Sequence, residues 1–569
     1  MSEATDASQA VINAATAWRD QDPDEETRAE LDALVTAATD GDDAAAADLA
    51  SRFGGRLAFG TAGLRGELGA GSNRMNRVLV SQAAAGFAAY LLSQEASPSI
   101  VIGYDGRKNS RTFAIDTAEV MAGAGVRAIL LPRLLPTPVL AFAVRYLDTS
   151  AGVMVTASHN PAADNGYKVY LGGLNHGSQI VSPVDGQIAE HIDAAALGSV
   201  LELPRSTGYQ TAGEDVLDQY VAATAVLGGS PAADVSVVYT PMHGVGWETA
   251  RRVFVDAGFA EPKVVAEQVE PDASFPTVAF PNPEEAGALD LAIAYATEQG
   301  AELIIANDPD ADRLAIAIPT AAPTAATAAD GSAGWRRLSG NEVGLFLGWR
   351  AAERLQNSDG DGTLAASIVS SPGLREIARE YNLDYVDTLT GFKWISRAGG
   401  LAYGFEEALG YLVDPKKVRD KDGISAAVDF LALATELKAA GKTLDDHAND
   451  FALKFGAFSS SQISLRVSDL ADIPRLMAKL RAAPLANIGR IAVESIDDFS
   501  TGFRGFPPSD ILRIWLDGGA RVIVRPSGTE PKLKVYIDAS SSTGTAEERR
   551  TAADSIVAEL DAGMREALA

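Results

Sequence analysis

One unit recurs along the chain and limits its fold more than any other feature: strand, polar tip, helix, strand. In the first copy, SIVIGYDGRKNS (99–110) is strand and tip, residues 112–124 the helix, and RAILL (127–131) the next strand. In the second, VSVVYTPMHGVG (235–246) leads into a helix at 247–257 and the strand KVVAE (263–267). In the third, LAASIVSSPG (364–373) leads into LREIAREY (374–381) and DYVDTLT (384–390). Between the second and third, residues 289–299 read as a helix, and ELIIANDPDADRLAIAI (302–318) as strand, acidic loop and strand. Apolar strands alternating with helices predict parallel sheets in α/β units.

The expected organisation is an N-terminal helical extension at 1–55, three similar α/β domains at 56–212, 213–330 and 331–455, and a smaller α+β domain at 456–569. The extension, rich in Ala, Asp and Glu, reads as two helices with solvated faces. RLAFGTAGLRGELGAGSNRMN (56–76), full of Gly and Arg, reads as a ligand loop, and a helix-like run follows at 80–92. TAAPTAATAADGSAG (320–334) reads as a low-complexity insertion in a hairpin. The last part carries ISLRV, RIAVESI, ILRIWL and RVIVRPSGTEPKLKVYIDA before a final helix from residue 546.

Charge and composition remove several function classes. A net charge of −28 argues against nucleic acid and against an anionic membrane surface as partners. No apolar run approaches the ~20 residues of a membrane span. The acidic N-terminus lacks the basic region and apolar core of a secretory signal. With no cysteine there are no disulfides, thiolate metal sites or Cys nucleophiles. The expectation is a cytoplasmic globular protein. For an anionic substrate, clusters of Arg and Lys must overcome the background field.

Three stretches carry chemistry. In GVMVTASHNPAADNGYKVY (152–170) an apolar strand breaks into Thr156-Ala157-Ser158-His159-Asn160-Pro161, and Asn-Pro marks a turn. Ser158 therefore stands at a strand end, with His159 beside it and Lys168 on the next apolar run. It is either a displayed hydroxyl or a residue that caps its turn. No G-x-S-x-G elbow surrounds it, which disfavours a serine hydrolase. Asp308, Asp310 and Asp312 stand at alternate positions after the strand at 303–306. Three such carboxylates converge on a divalent cation, or else form an exposed acidic turn. The loop is not an EF-hand, since Arg313 and Pro319 stand where Gly and Glu are needed. With Arg313 adjacent, Mg²⁺ serving a phosphate is the better reading. Arg525-Pro526-Ser527-Gly528-Thr529-Glu530-Pro531-Lys532, between two strands, offers a guanidinium fork, hydroxyls and approachable backbone N–H groups, a cradle for phosphate. A fourth stretch, Gly404-Phe405-Glu406-Glu407-Ala408-Leu409-Gly410-Tyr411, places two carboxylates in a Gly-bounded loop suited to sugar hydroxyls, or equally a solvated turn.

TASHNP, DPDADR, GFEEALGY and RPSGTEPK, in that order and spacing, resemble the α-D-phosphohexomutases, over about residues 55 to 569. GTAGLRG, TLTGFKWI and FEEALGY are most similar to the branch holding phosphoglucomutase-2-type and phosphopentomutase enzymes. The resemblance implies a heart-shaped, four-domain architecture, with three α/β domains, a C-terminal domain and one cleft where all four meet. It implies Ser158 as a phosphoserine and Asp308, Asp310 and Asp312 as Mg²⁺ ligands, completed by Ser158. It places Arg313 and Arg65 near the transferring phosphoryl group and Glu406 and Glu407 on sugar hydroxyls. Arg525, Ser527, Gly528 and Thr529 would hold the phosphate that is not reacting. Asp105, Arg107, His159, Lys168, His243 and Lys393 match cleft positions. The family's Glu-x-Ser reads Glu406-Glu407-Ala408 here, which leaves the sugar open.

The parts assemble into phosphoryl transfer, which is mostly positioning and charge neutralisation. Phosphorylated Ser158 would donate to a sugar monophosphate, giving a bisphosphate that turns over and returns its other phosphate. The change moves phosphate between C1 and C6, or C5 of a pentose, with Mg²⁺ as cofactor and a sugar 1,6-bisphosphate as activator. The most direct reading is a phosphoglucomutase/phosphomannomutase, with a phosphopentomutase as the alternative, acting as a monomer or homodimer. For the general base, Lys168 is preferred, because strand geometry carried into the turn would face His159 away from Ser158. A Mg²⁺-dependent phosphohydrolase using Asp308 as nucleophile is the rival enzyme, and a non-catalytic sugar-phosphate binder the third reading.

Overall fold

A computed structural model of the chain describes residues 2–60, 63–320, 334–467, 469, 471–527 and 532–568. These fall into two compact units. The first holds residues 1–338 and 410–432, the second 339–409 and 433–569.

The first unit opens with three helices, where two were expected: α1 (Ser2–Gln21), α2 (Glu25–Thr39) and α3 (Asp43–Phe53). The extra break comes from capping. Asp24 accepts the Glu26 N–H, and Asp42 accepts those of Ala44 and Ala45, so each aspartate starts a helix. These helices also have a buried side, in which Trp18, Leu31 and Leu49 cluster with Ala70, Val78 and Val200. The extension is thereby joined to the Arg-rich loop and the helix that follows it.

A seven-stranded sheet comes next. Its elements are β1 (Leu64–Glu67), α4 (Arg77–Gln94), β2 (Ser99–Tyr104), α5 (Ser110–Gly123), β3 (Arg127–Leu130), α6 (Thr137–Tyr146), β4 (Ala151–Val155), β5 (Asp164–Leu171), β6 (Ser178–Gln179), α7 (Val184–Ala195) and β7 (Gln210–Thr211). The order is β1-β5-β4-β2-β3-β7, with β6 on β5. The central pairs β2–β3 and β2–β4 are parallel, as expected from the alternation. The pairs β4–β5 and β1–β5 are antiparallel, because a short turn rather than a crossover joins β4 to β5. Every residue of β2 and β4 is buried. Phe87, Ile102 and Val153 anchor the core, and each such side chain contributes about 1.5–3 kcal/mol.

The second sheet follows α8 (Asp215–Ala225). It comprises β8 (Val237–Thr240), α9 (Gly246–Asp256), β9 (Lys263–Val264), α10 (Asp290–Gln299), β10 (Leu303–Asn307), β11 (Leu314–Pro319) and β12 (Trp335–Arg337), in the order β12-β11-β10-β8-β9. Strand β9 is shorter than KVVAE suggested. β11 and β12 pair antiparallel, so the insertion does interrupt a hairpin. Its residues 321–333 lie outside the described residues.

The second unit begins with α11 (Gly340–Asn357), β13 (Thr363–Ser367), α12 (Gly373–Glu380), β14 (Asp384–Thr388), α13 (Phe392–Ile395) and β15 (Leu401–Glu406). β13 pairs parallel with both β14 and β15. The chain then returns to the first unit through β16 (Gly410–Leu412), where Gly410 bridges Arg313. Helix α14 (Gly423–Ala439) leads back, followed by α15 (Leu444–Phe455), β17 (Ala457–Arg466), α16 (Asp472–Ala482), β18 (Asn487–Ile488), β19 (Ile491–Asp498), β20 (Leu512–Leu516), β21 (Arg521–Pro526), β22 (Lys532–Ser541) and α17 (Ala546–Leu568). The last sheet is antiparallel, ordered β17-β22-β21-β20-β19-β18. Alternation along β21 sends Val522 and Val524 to one core and Ile523 to another.

Candidate active site

In the first unit, β4 ends at Val155 and the backbone turns sharply. Thr156 Oγ1 accepts the Ser158 N–H at 2.8 Å, and Ser158 adopts φ +52°, in the left-handed region. Arg107 laces the turn together. Its guanidinium donates to the carbonyls of Ser158 and Asn160 at 2.6 Å, Pro161 at 2.8 Å and Asp164 at 3.1 Å. Asp105 Oδ1 accepts the Arg107 N–H at 3.0 Å and the Ser110 hydroxyl at 2.6 Å. Asp105 and Arg107 thus hold the loop that presents Ser158.

The buried strand β10 delivers Asp308, Asp310 and Asp312 to the same place. One oxygen from each lies within 4.8 Å of the others, and all three residues are fully buried. Ser158 Oγ donates to Asp308 Oδ2 at 2.7 Å. Lys168 Nζ donates to Asp310 Oδ2 at 2.7 Å and Asp312 Oδ2 at 2.8 Å. Thr137 Oγ1 donates to Asp310 Oδ2 at 2.6 Å, and the Arg313 N–H to Asp308 Oδ1 at 3.0 Å. Asp310 Oδ1 and Asp312 Oδ1 are buried with no hydrogen-bond partner among the described residues. Two buried oxygens without donors, next to the carboxylate of Asp308, fit a hard divalent cation.

The electrostatics follow from that crowding. Burial, then the charges of Asp310 and Asp312, push Asp308 well above the usual carboxylate range. Burial also pushes Asp312 upward, but Lys168, Lys421 and Arg313 outweigh it and hold its carboxyl far below that range. Burial would lower Lys168, and Asp310 and Asp312 overcome it, keeping the ammonium form.

One expectation is overturned here. His159 does not face away from Ser158: its Nδ1 lies 3.2 Å from Ser158 Oγ. The left-handed backbone at Ser158 breaks the strand alternation on which that expectation rested. Desolvation first, then Arg313 and Arg65, hold the half-buried imidazole well below the usual histidine range, in its neutral form.

Strand β1 brings Arg65 to this loop, pairing with Gly166 of β5 and donating to Asn160 Oδ1 at 3.2 Å. His243 is buried on a neighbouring loop, bonded through Nε2 to Thr277 Oγ1 at 2.8 Å, and is not bonded to the aspartates. Two residues escaped the sequence reading. Thr137 orients Asp310, and Lys421 Nζ lies 3.4 Å from Asp312 Oδ2. The signal for Lys421 was the run KKVRDKDG, whose charged residues are largely buried.

The second unit carries the remaining candidates. Ser370 Oγ accepts the Glu407 N–H at 3.0 Å and donates to Glu407 Oε2 at 2.9 Å, and Ser367 Oγ donates to Oε2 at 3.2 Å. Glu406 ends β15, and Lys393 is half-buried in α13. Arg525 is the penultimate residue of β21, and the Ser527 N–H bonds the Lys532 carbonyl at 2.8 Å. Gly528 and Thr529 lie outside the described residues. Burial, then the charge of Glu407, push the Tyr536 hydroxyl up and Arg525 opposes them, so the carboxylate loop and the arginine strand meet around Tyr536.

The chain matches four family models. These are the phosphoglucomutase/phosphomannomutase alpha/beta/alpha domains I, II and III over residues 56–198, 218–321 and 339–455, and the C-terminal domain over 463–555. It is 57% identical over 495 residues to a probable phosphomannomutase of Haemophilus influenzae, covering 87% of this chain and 98% of that one. It is 34% identical over 553 residues to a phosphopentomutase of Mus musculus, covering 88% and 86%. A crystal structure of a putative phosphomannomutase from Thermus thermophilus superposes with a TM-score of 0.65 at 22% identity, covering 90% of this chain and 99% of that one. That likeness concerns the fold.

Proposed function

The chain belongs to the phosphoglucomutase/phosphomannomutase family, and on that premise we propose that it is a phosphosugar mutase working through a phosphorylated Ser158. It moves phosphate between C1 and C6 of a hexose by way of a sugar bisphosphate. Glucose and mannose phosphates are the preferred assignment, with C1 and C5 of a pentose as the alternative. The observation that carries this reading is the hydroxyl of Ser158 set 2.7 Å from Asp308, in a buried triad in which Asp310 Oδ1 and Asp312 Oδ1 have no hydrogen-bond donor among the described residues.

Asp308, Asp310, Asp312 and Ser158 would hold Mg²⁺, which when bound supplies charge neutralisation for the phosphoryl group. Arg65 and Arg313 add cationic donors on the same loop cluster. His159 is now the preferred group to take the sugar hydroxyl's proton, since its neutral imidazole is 3.2 Å from Ser158 Oγ while Lys168 is ion-paired. Glu406 and Glu407, with Lys393 and His243, are assigned to sugar binding, and Arg525, Ser527, Gly528 and Thr529 to the second phosphate. A sugar 1,6-bisphosphate would prime Ser158. The segment boundaries at 55, 212 and 455 are part of the same proposal, with the one expected at 330 moved beyond β12, since β12 pairs with β11.

The test is an assay on glucose 1-phosphate, mannose 1-phosphate and ribose 1-phosphate with Mg²⁺ and bisphosphate. Isomerisation without phosphate release, abolished in Ser158→Ala, is expected. A phosphohydrolase would release phosphate and ignore that substitution.

A further inference from the structure

The peptide joining Ser370 to Ser371 is held on both sides. Its carbonyl accepts a hydrogen bond from Arg521 Nη2 of β21. Its N–H, on Ser371, donates to Asn341 Oδ1 at 2.8 Å, in the first turn of α11. The two clamps are joined behind the peptide. Arg521 Nε donates to Asp538 Oδ2 at 2.9 Å, Ser460 Oγ donates to Asp538 Oδ1 at 2.7 Å, and Asn341 Nδ2 donates to Ser460 Oγ at 3.1 Å. The ring closes on one peptide plane. Arg521 is 1% and Asp538 2% exposed, so the ion pair is desolvated. A guanidinium in that setting is fixed in direction by its planar fork.

Ser370, whose carbonyl Arg521 holds, also supplies the hydroxyl that bonds both the N–H and the carboxylate of Glu407. Shifting the Ser370 backbone would displace that hydroxyl and release the loop. We infer that Arg521, seconded by Asn341, is a positioning residue for the Glu406-Glu407 sugar loop, acting through the Ser370–Ser371 peptide. The arrangement also places Arg521 on the strand that carries Arg525, tying the orientation of the carboxylates to the position of that strand. This rests on the assignment of Glu407 to the sugar.

The experiment measures KM and kcat for glucose 1-phosphate and mannose 1-phosphate in Arg521→Met, Arg521→Lys and Asn341→Ala. Dissociation constants for the same two sugars are measured by calorimetry, with each substitution placed on a Ser158→Ala background. Loss of one charged hydrogen bond predicts a rise of about tenfold in KM and Kd for Arg521→Met, about threefold for Asn341→Ala, and an intermediate value for Arg521→Lys. The ratio between the two sugars should shift, while kcat changes less than KM. Asn341→Ala leaves no buried charge behind and keeps the test open if Arg521→Met does not fold. Folded variants with lowered thermal midpoints but unchanged Kd and sugar ratio overturn the inference and leave Arg521 a merely structural residue. Wild-type protein that turns over neither hexose phosphate overturns the hexose assignment, and this inference with it.

Discussion

At Ser158 a single backbone torsion decides what its neighbours can do. With φ +52°, the turn directs both the Ser158 hydroxyl and the His159 ring toward one point, so that Asp308 and His159 contact the same oxygen. His159→Gln keeps the ring's approximate volume and loses its basicity. A fall in kcat of about 10²-fold or more is expected in a steady-state assay, with KM little changed. A kcat near the wild-type value would return the role to Lys168. That lysine was the preference from sequence, and the reason it lost ground is physical. Its ammonium is committed to Asp310 and Asp312, contacts made by residues about 140 positions away, which no local pattern announces.

At the scale of elements, two helices of the second unit make measurable predictions. Helix α11 starts against the Glu406-Glu407 loop: a Cβ on Gly340 would stand 1.8 Å from the Glu407 carbonyl oxygen. Gly340→Ala must therefore push helix and loop apart, costing about 1–3 kcal/mol, seen as a lower thermal midpoint together with a higher KM. Unchanged KM would detach the loop from substrate binding. In α15, His447 stacks on Trp349 with ring centroids 4.5 Å apart, and its buried Nε2 has no hydrogen-bond partner among the described residues. Burial pushes this imidazole down to about 4. The folded protein thus keeps His447 neutral while the unfolded chain, with an ordinary value of about 6.5, takes up the proton first. The contribution is fully present above pH 6.5 and is lost as pH falls from about 6.5 toward 4, at most about 3 kcal/mol. His447→Phe should flatten that part of the stability profile. Parallel wild-type and variant curves in urea titrations between pH 7 and 4.5 would refute it.

Across the whole molecule, the features readable in sequence were those set by local chemistry. Apolar runs such as 151–155 and 303–307 became strands buried along their length; the strand-end turn marked Ser158 and alternate spacing the three aspartates, while their roles came from the family resemblance. What stayed hidden depends on distant pairs. The Arg107 clamp reaches carbonyls more than 50 residues on, and the Arg521 ring joins residues from 341 to 538. The return of residues 410–432 to the first unit, bringing Lys421 to Asp312, is likewise invisible to periodicity. The helix count in the extension was missed because two capping aspartates were read as part of a general acidity. In the proposed reaction Ser158 carries phosphate to the sugar and takes it back. The most direct measurement is the mass of the Ser158 peptide after incubation with Mg²⁺ and glucose 1,6-bisphosphate carrying ¹⁸O-labelled phosphates, then after a chase with unlabelled sugar monophosphate. One added labelled phosphate on Ser158, exchanged in the chase for an unlabelled one without release of inorganic phosphate, is the predicted result. An unmodified Ser158 in a protein that turns over sugar phosphates, or phosphate set free in the chase, would contradict it.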